Sequence, residues 1–415
     1  MFPFLELTPL VLQAFLQTFF DPAYLFLFLV VCTIIAIQYN RMEKMRENFF
    51  GMSAGLAKKD FIVAIGYGLL GGLLASYLVM FIGLTISGEL YYLWPVAILL
   101  MMLNIRFICF AYAGGILALS NLILGVPQIN VSQILALVAV LHMVESFLIF
   151  VSGHLGAVPA YIKGPEGKII GGFTLQRFWP IPIVVLAVMV GGVAEGGIEM
   201  PGWWPLIMPG VDGDPQNLTF AMLPLLAGLG YGDIAIARSP VEKSRLSSLF
   251  LGLYSLILLA LAVLAGYSKA VALLAAVFSP LGHEAVIHIG KWLELKGKPL
   301  YVPAGEGMRI MDVLPDGPFW RAGLRPGDIV MAVNGVRFTG KTEFYNLLQS
   351  SFLPASIDYI NQPDGITKNT VAKPPESGSP WGVIPAPEGN ESRYVELQTL
   401  GPLGRWVRKL WAKVR

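Results

Sequence analysis

From the N-terminus to about residue 290 the chain is a succession of apolar runs close to twenty residues long, and then its character changes. A run of about 20 apolar residues is what a helix needs to cross a hydrocarbon core. Candidate spans fall at roughly 22–39, 61–84, 88–104, 107–124, 132–151, 179–197, 217–236, 247–266 and 270–290. The segment 4–20 is also apolar, but Asp21-Pro22 breaks it from the first span, so it lies in the interface or pairs with its neighbour as a hairpin. With 55% hydrophobic and only 13% charged residues, against about 25% charged in soluble domains, a single anchor does not account for the composition. A net charge of +2 gives no nucleic-acid signal. Cys32 and Cys109 both sit in apolar runs and do not form a disulfide framework. No basic stretch or small-residue cleavage site marks the N-terminus, so a removed signal peptide is not expected.

Basic residues orient the spans. Thirteen Lys and Arg precede residue 291. Arg41, Lys44, Arg46, Lys58 and Lys59 flank the first loop, and Arg106, then Lys163, Lys168 and Arg177, then Arg238, Lys243 and Arg245 occupy alternate later loops. Only Lys269 falls on the other side, and twelve against one is a strong positive-inside bias. The expectation is nine spans, an external N-terminus and a cytoplasmic C-terminal part. The loop 198–216 is basic-free, carries Glu199, Asp212 and Asp214, and places Trp203 and Trp204 where an interfacial aromatic belt belongs.

Ionisable residues inside candidate spans include His142 and Glu145, three apart on one helix face; Asp233; and the adjacent His283 and Glu284. Such groups cost about 2.5–3.5 kcal/mol each at mid-bilayer, so they face the bundle interior and find partners. They read either as an ion path or as buried hydrogen bonds that fix packing. Gly66, Gly68, Gly71 and Gly72 in the second span read as a close helix-packing face. His283-Glu284-Ala285-Val286-Ile287-His288 resembles the zinc-protease H-E-x-x-H, but its second histidine stands at i+5. At about 100° per residue the two side chains diverge by roughly 140° and cannot share a metal on an unbroken helix. With no third ligand and no Ser/His/Asp set, neither a catalytic centre, a metal nor a cofactor is expected. His154 reads as a surface residue.

After residue 296 the pattern shortens. Met308 to Leu314 is a strand ended by Pro315, and Asp316-Gly317-Pro318 opens a helical turn carrying Phe319 and Trp320. Pro326-Gly327-Asp328 turns into Ile329–Val333, and Asn334-Gly335 is a hairpin turn. Phe344, Leu347 and Leu348 mark a helix face, and Ser356–Tyr359 with Thr370–Ala372 complete a sheet. This order over 307–350 resembles bacterial PDZ domains. The resemblance implies an extended peptide added beside one strand. The groove would be Gly307, Met308 and Ile310 facing Phe344, Leu347 and Leu348. The family's hydrophobic–Gly–hydrophobic loop would fall on Glu306-Gly307-Met308, where the acid disfavours a terminal carboxylate and leaves internal segments as ligands.

The expected architecture is therefore a polytopic α-helical membrane protein, spanning 1–290, followed by a small α+β PDZ-like domain at 296–372. A Pro/Gly-rich linker or loop follows at 373–402, and a basic amphipathic tail helix at 403–415 suits an anionic lipid surface. Phe278-Ser279-Pro280-Leu281-Gly282-His283-Glu284, Gly230-Tyr231-Gly232-Asp233-Ile234-Ala235 and the C-terminal PDZ together resemble the MinJ-type topology determinants of Gram-positive cell division. That resemblance implies an adaptor joining a DivIVA-like coiled-coil scaffold to a MinD-like membrane ATPase that inhibits FtsZ assembly. The rival readings are a site-2-protease-like intramembrane metalloprotease, or its inactive relative, and an ion or proton transporter.

Overall fold

The computed structural model describes the chain except residues 1, 53–54, 87–89, 165–166, 190–197, 211–217, 350–352, 363, 376–379 and 396–415. The expected tail helix at 403–415 lies outside the described residues. A helical body comes first: α1 (Phe4–Gln17), α2 (Pro22–Phe50), α3 (Ala57–Ile82), α4 (Leu90–Leu103), α5 (Phe110–Leu124) and α6 (Val131–Ser152). Three strands follow, β1 (Val158–Lys163), β2 (Ile169–Met189) and β3 (Thr219–Ala235), then α7 (Pro240–Ala265) and α8 (Lys269–Lys296). Among the described residues α2, α3, α6, α7 and α8 are long and apolar enough to cross a membrane. Asp21 caps α2 through the amides of Ala23 and Tyr24, and Ser239 with Glu242 forms a capping box on α7.

The segments 179–197 and 217–236, expected as helical spans, differ from that reading. Over their described residues they belong to a long antiparallel hairpin, in register from Phe173↔Ala235 to Met189↔Thr219. Pro180 and Pro182 would each remove a helical hydrogen bond, and β-branched residues crowd between 181 and 188. A backbone inside a membrane needs every polar group satisfied, and β2 finds partners on both edges. One edge pairs with β3. The other pairs with β1 over residues 169–174 and further along meets α2, α3 and the segment after α3: the Tyr39 hydroxyl donates to the Phe178 carbonyl and accepts its amide, Ser76 Oγ accepts from the Val184 amide at 2.9 Å, and the Ile86 amide donates to the Leu186 carbonyl at 2.8 Å.

The α3 glycines receive that strand. A Cβ on Gly68 would stand 2.2 Å from the Pro180 carbonyl oxygen, and one on Gly72 would stand 1.9 Å from that of Pro182. The close packing expected at this stripe is thus helix against strand. Gly66 belongs to no such contact. Gly228, Gly230 and Gly232, alternating along one side of β3, stand opposite Pro180, Phe178 and Gln176.

The C-terminal module contains β4 (Met308–Val313), α9 (Pro318–Arg321), β5 (Ile329–Val333), β6 (Val336–Arg337), α10 (Lys341–Gln349), β7 (Ala355–Asn361), β8 (Ile366–Ala372) and β9 (Val383–Pro385). Its sheet runs β8-β7-β5-β4-β9, with β6 paired to β5. The expected Asn334-Gly335 turn joins β5 to β6, both residues at positive φ. Asp328, fully buried, accepts from the amides of Arg325 and Gln362 and from Asn361 Nδ2, fixing the preceding turn. Phe319, Phe344, Leu348, Val330 and Ile357 fill the core.

Candidate functional site

The expected groove is corrected by the sheet order. The free edge of β4, where a partner strand was to lie, is already occupied by β9, with Ile310↔Pro385, Asp312↔Ile384 and Val313↔Val383 in register. Met308, Ile310, Phe344 and Leu348 are buried in the module core, and Leu347 packs against it. Gly307 (φ +72) lies so close to β5 that a Cβ would meet the Val330 carbonyl oxygen at 2.3 Å. These residues build the fold. Residues 383–385, expected in a linker, are instead the outer strand of the sheet.

The outermost strand on this side of the sheet is therefore β9, beside α10. The Gly382 carbonyl accepts from the Leu314 amide and the Ala386 amide donates to the Arg309 carbonyl, so 382 and 386 bond inward to β4. Alternation turns the carbonyls of Val383 and Pro385 outward. Each accepts a tyrosine hydroxyl at 3.1 Å, Val383 from Tyr345 on α10 and Pro385 from Tyr161 on β1. Trp381-Gly382-Val383, with Gly382 at φ +76, supplies the hydrophobic–Gly–hydrophobic pattern that the sequence reading sought at 306–308. That signal was present seventy-odd residues further on.

The closure extends beyond one hydroxyl. Lys341 Nζ sits 3.3 Å from the Tyr161 hydroxyl and 4.7 Å from its ring centroid, and pairs with Glu391 at 2.5 Å. The Lys341 amide donates to Glu388 Oε1, and the Val395 amide donates to the Tyr161 carbonyl. Residues 387–395 thus wrap the start of α10 and return to β1. Burial opposes charge on Glu391, but Lys341 and the Glu388 amide outweigh it and hold the carboxyl below its usual range. Burial pushes the Tyr345 hydroxyl up to about 12 and raises that of Tyr161 further.

The module also packs directly on the body. Met311, Leu314, Ile384 and Ala386 join the core of the helical part, and the Gly171 amide donates to the Tyr301 carbonyl at 2.9 Å. Beneath this contact burial raises the Asp312 carboxyl to about 6, opposed by the Arg46 guanidinium from α2 and by the Val313 amide.

The polar residues of the spans separate into two places. Asp233, on β3, accepts from Ser247 Oγ at 2.7 Å and pairs with the fully buried Lys243 at 3.1 Å, and Lys243 reaches the Gly290 carbonyl. It is consumed in joining β3, α7 and α8. His142 and His283 do come together, with Cys109 between them: Cys109 Sγ is 3.1 Å from His142 Nε2 and 3.6 Å from His283 Nε2. Glu284 pairs with Arg106 at 2.7 Å and with His288 at 3.0 Å, and accepts from the Tyr112 hydroxyl. Arg106, read as a loop residue, lies at the turn between α4 and α5. Glu145 stands on α6 three residues beyond His142, and His154 is half-buried rather than on the surface. His288 is mostly exposed and takes no part in the cluster, as the i+5 spacing requires. Cys109, taken alone in an apolar run, carried no sequence signal, because its partners lie 33 and 174 residues away.

Residues 309–352 match the PDZ domain family. The chain is also similar to the cell division topological determinant MinJ of Bacillus subtilis, 24% identical over 361 residues that cover 81% of this chain and 85% of that protein. Long apolar helices followed by a sheet-rich PDZ region make this a membrane protein with a protein-interaction module.

Proposed function

We propose that the chain is a membrane-anchored adaptor that recruits cell-division proteins through its PDZ module, and that it is not an enzyme. The observation that carries this is the outward edge of β9 beside α10, a strand edge able to add a partner strand, joined to a multi-helix body. Similarity to a division determinant over most of both chains supports the process. The resemblance implies a DivIVA-like scaffold and a MinD-like ATPase as partners. In the closed arrangement both outward carbonyls are occupied, so capture requires Tyr161 and the 387–395 wrap to withdraw. A partner amide then replaces the Tyr161 hydroxyl on Pro385.

The module faces the cytoplasm and the N-terminus lies outside. The twelve-to-one charge bias supports this, and the hairpin leaves it intact, because β2 and β3 run out and back as two helices would. Cysteines placed at Trp203 and Gly389 should label oppositely with an impermeant thiol reagent in intact cells; equal labelling would sink the topology.

A fluorescent fusion of the full chain should concentrate at septa in dividing cells. Uniform membrane signal removes the division assignment. A stably expressed Tyr345→Glu variant should lose septal enrichment, and unchanged enrichment would mean that recruitment bypasses this edge.

A further inference from the structure

We propose that Cys109, His142 and His283 form a binding site for one transition-metal ion of the zinc class, which ties the start of α5 to the middles of α6 and α8. The three donor atoms lie within 4.8 Å of one another. Tetrahedral zinc, with Zn–S of about 2.3 Å and Zn–N of about 2.0–2.1 Å, places sulfur and nitrogen roughly 3.6 Å apart. The observed Sγ–Nε2 separations of 3.1 and 3.6 Å need only small shifts to share one ion.

The proton arrangement around the rings argues the same way. His142 Nδ1 is 2.7 Å from the Val138 carbonyl, which only accepts, so the ring proton sits on Nδ1 and Nε2 presents a lone pair to Cys109. The Tyr112 hydroxyl gives its proton to Glu284 Oε2 at 2.7 Å, so it accepts from His283 Nδ1 at 3.3 Å. The second Nε2 then also presents a lone pair. One thiol proton cannot satisfy two lone pairs, whereas a cation satisfies both and the sulfur together. A carbonyl or a hydroxyl–carboxylate relay behind each imidazole is the outer-shell support that orients metal-bound histidines. The Tyr254 ring meets both imidazoles edge-on, with centroids at 5.5 and 5.8 Å, and holds their planes.

A thiolate with two imidazoles selects zinc or copper over magnesium or calcium, which prefer oxygen. Binding forms a metal–sulfur bond and releases the thiol proton to solvent, with no change of oxidation state. The site is independent of the adaptor reading and serves as a clamp on three helices.

The test uses full-length protein, purified through an affinity tag without histidines, supplied with Zn2+ and desalted. About one equivalent should remain by elemental analysis, and Co2+ in its place should give a thiolate-to-metal charge-transfer band. Cys109→Ala and His142→Gln should each lower retained metal at least about tenfold, since losing a ligand costs no less than losing an outer-shell partner, with His154→Gln unchanged. Size-exclusion profiles establish that the variants fold. The wild-type cobalt spectrum decides the matter if they do not. Loaded wild-type protein that holds no metal, or holds cobalt without the thiolate band, overturns the site.

Discussion

The strand β2 is held in two different ways along its length. Its C-terminal half lies against α3 backbone to backbone, with Pro180 and Pro182 carbonyls seated on Gly68 and Gly72 at separations that admit no side chain. Its other end, with β1, meets the PDZ module through apolar packing of Met311, Leu314, Ile384 and Ala386, the Tyr161 hydroxyl on the Pro385 carbonyl, and the half-buried Asp312 carboxyl opposite Arg46. The first contact is close backbone packing, pinned by the Tyr39 and Ser76 hydroxyls on the strand. The second adds to its apolar packing exchangeable hydrogen bonds and titratable groups, each worth little alone. A scaffold needs both: a body that does not yield and a module whose edge can be uncovered.

The largest effect should come from the rigid half. Gly72→Leu drives a side chain into a backbone carbonyl that cannot move aside, costing above about 3 kcal/mol, and folded protein should vanish from membrane extracts by size exclusion. Gly66→Ala, with open space around it, should be neutral or stabilising by up to about 1 kcal/mol. Equal damage from both would erase the distinction.

On the releasable half, the raised Asp312 carboxyl contributes stability that is present below about pH 4 and lost as pH rises through about 6. The unfolded carboxyl titrates near 3.9, so the full span is no more than about 3 kcal/mol. Asp312→Asn should remove that dependence and raise the melting temperature at pH 7.5; an unchanged pH profile would mean that the carboxyl is not buried under the module. Lys341→Met leaves Glu391 without its partner and should loosen the wrap by about 2 kcal/mol, seen as faster amide exchange at 387–395. Tyr161→Phe removes one hydrogen bond to Pro385, about 1 kcal/mol, and should modestly increase partner capture by the full-length protein. A decrease would mean that Tyr161 helps to hold the partner.

The PDZ order was legible because it rests on local chemistry: Asn334-Gly335 needs no distant partner to turn, and Phe344 with Leu348 marks a helix face by spacing alone. The hairpin was not, since apolarity over 179–197 and 217–236 fits a doubly buried strand as well as a helix. Pro180, Pro182 and the alternating Gly228, Gly230 and Gly232 were the available signals. The groove was misplaced by reading β4 as an edge, when the strand that covers it arrives some seventy residues later.

By itself, the sequence determined that a membrane body precedes a PDZ module and that His283 and His288 cannot share a metal on an unbroken helix. Helical periodicity, hydropathy and turn chemistry are properties of neighbouring residues. Only the tertiary structure decided which strand presents the open edge, that Tyr161 and Tyr345 close it, and that Cys109 meets His142 and His283. Those facts depend on which distant segments pack together, and packing is selected by the whole chain's fit.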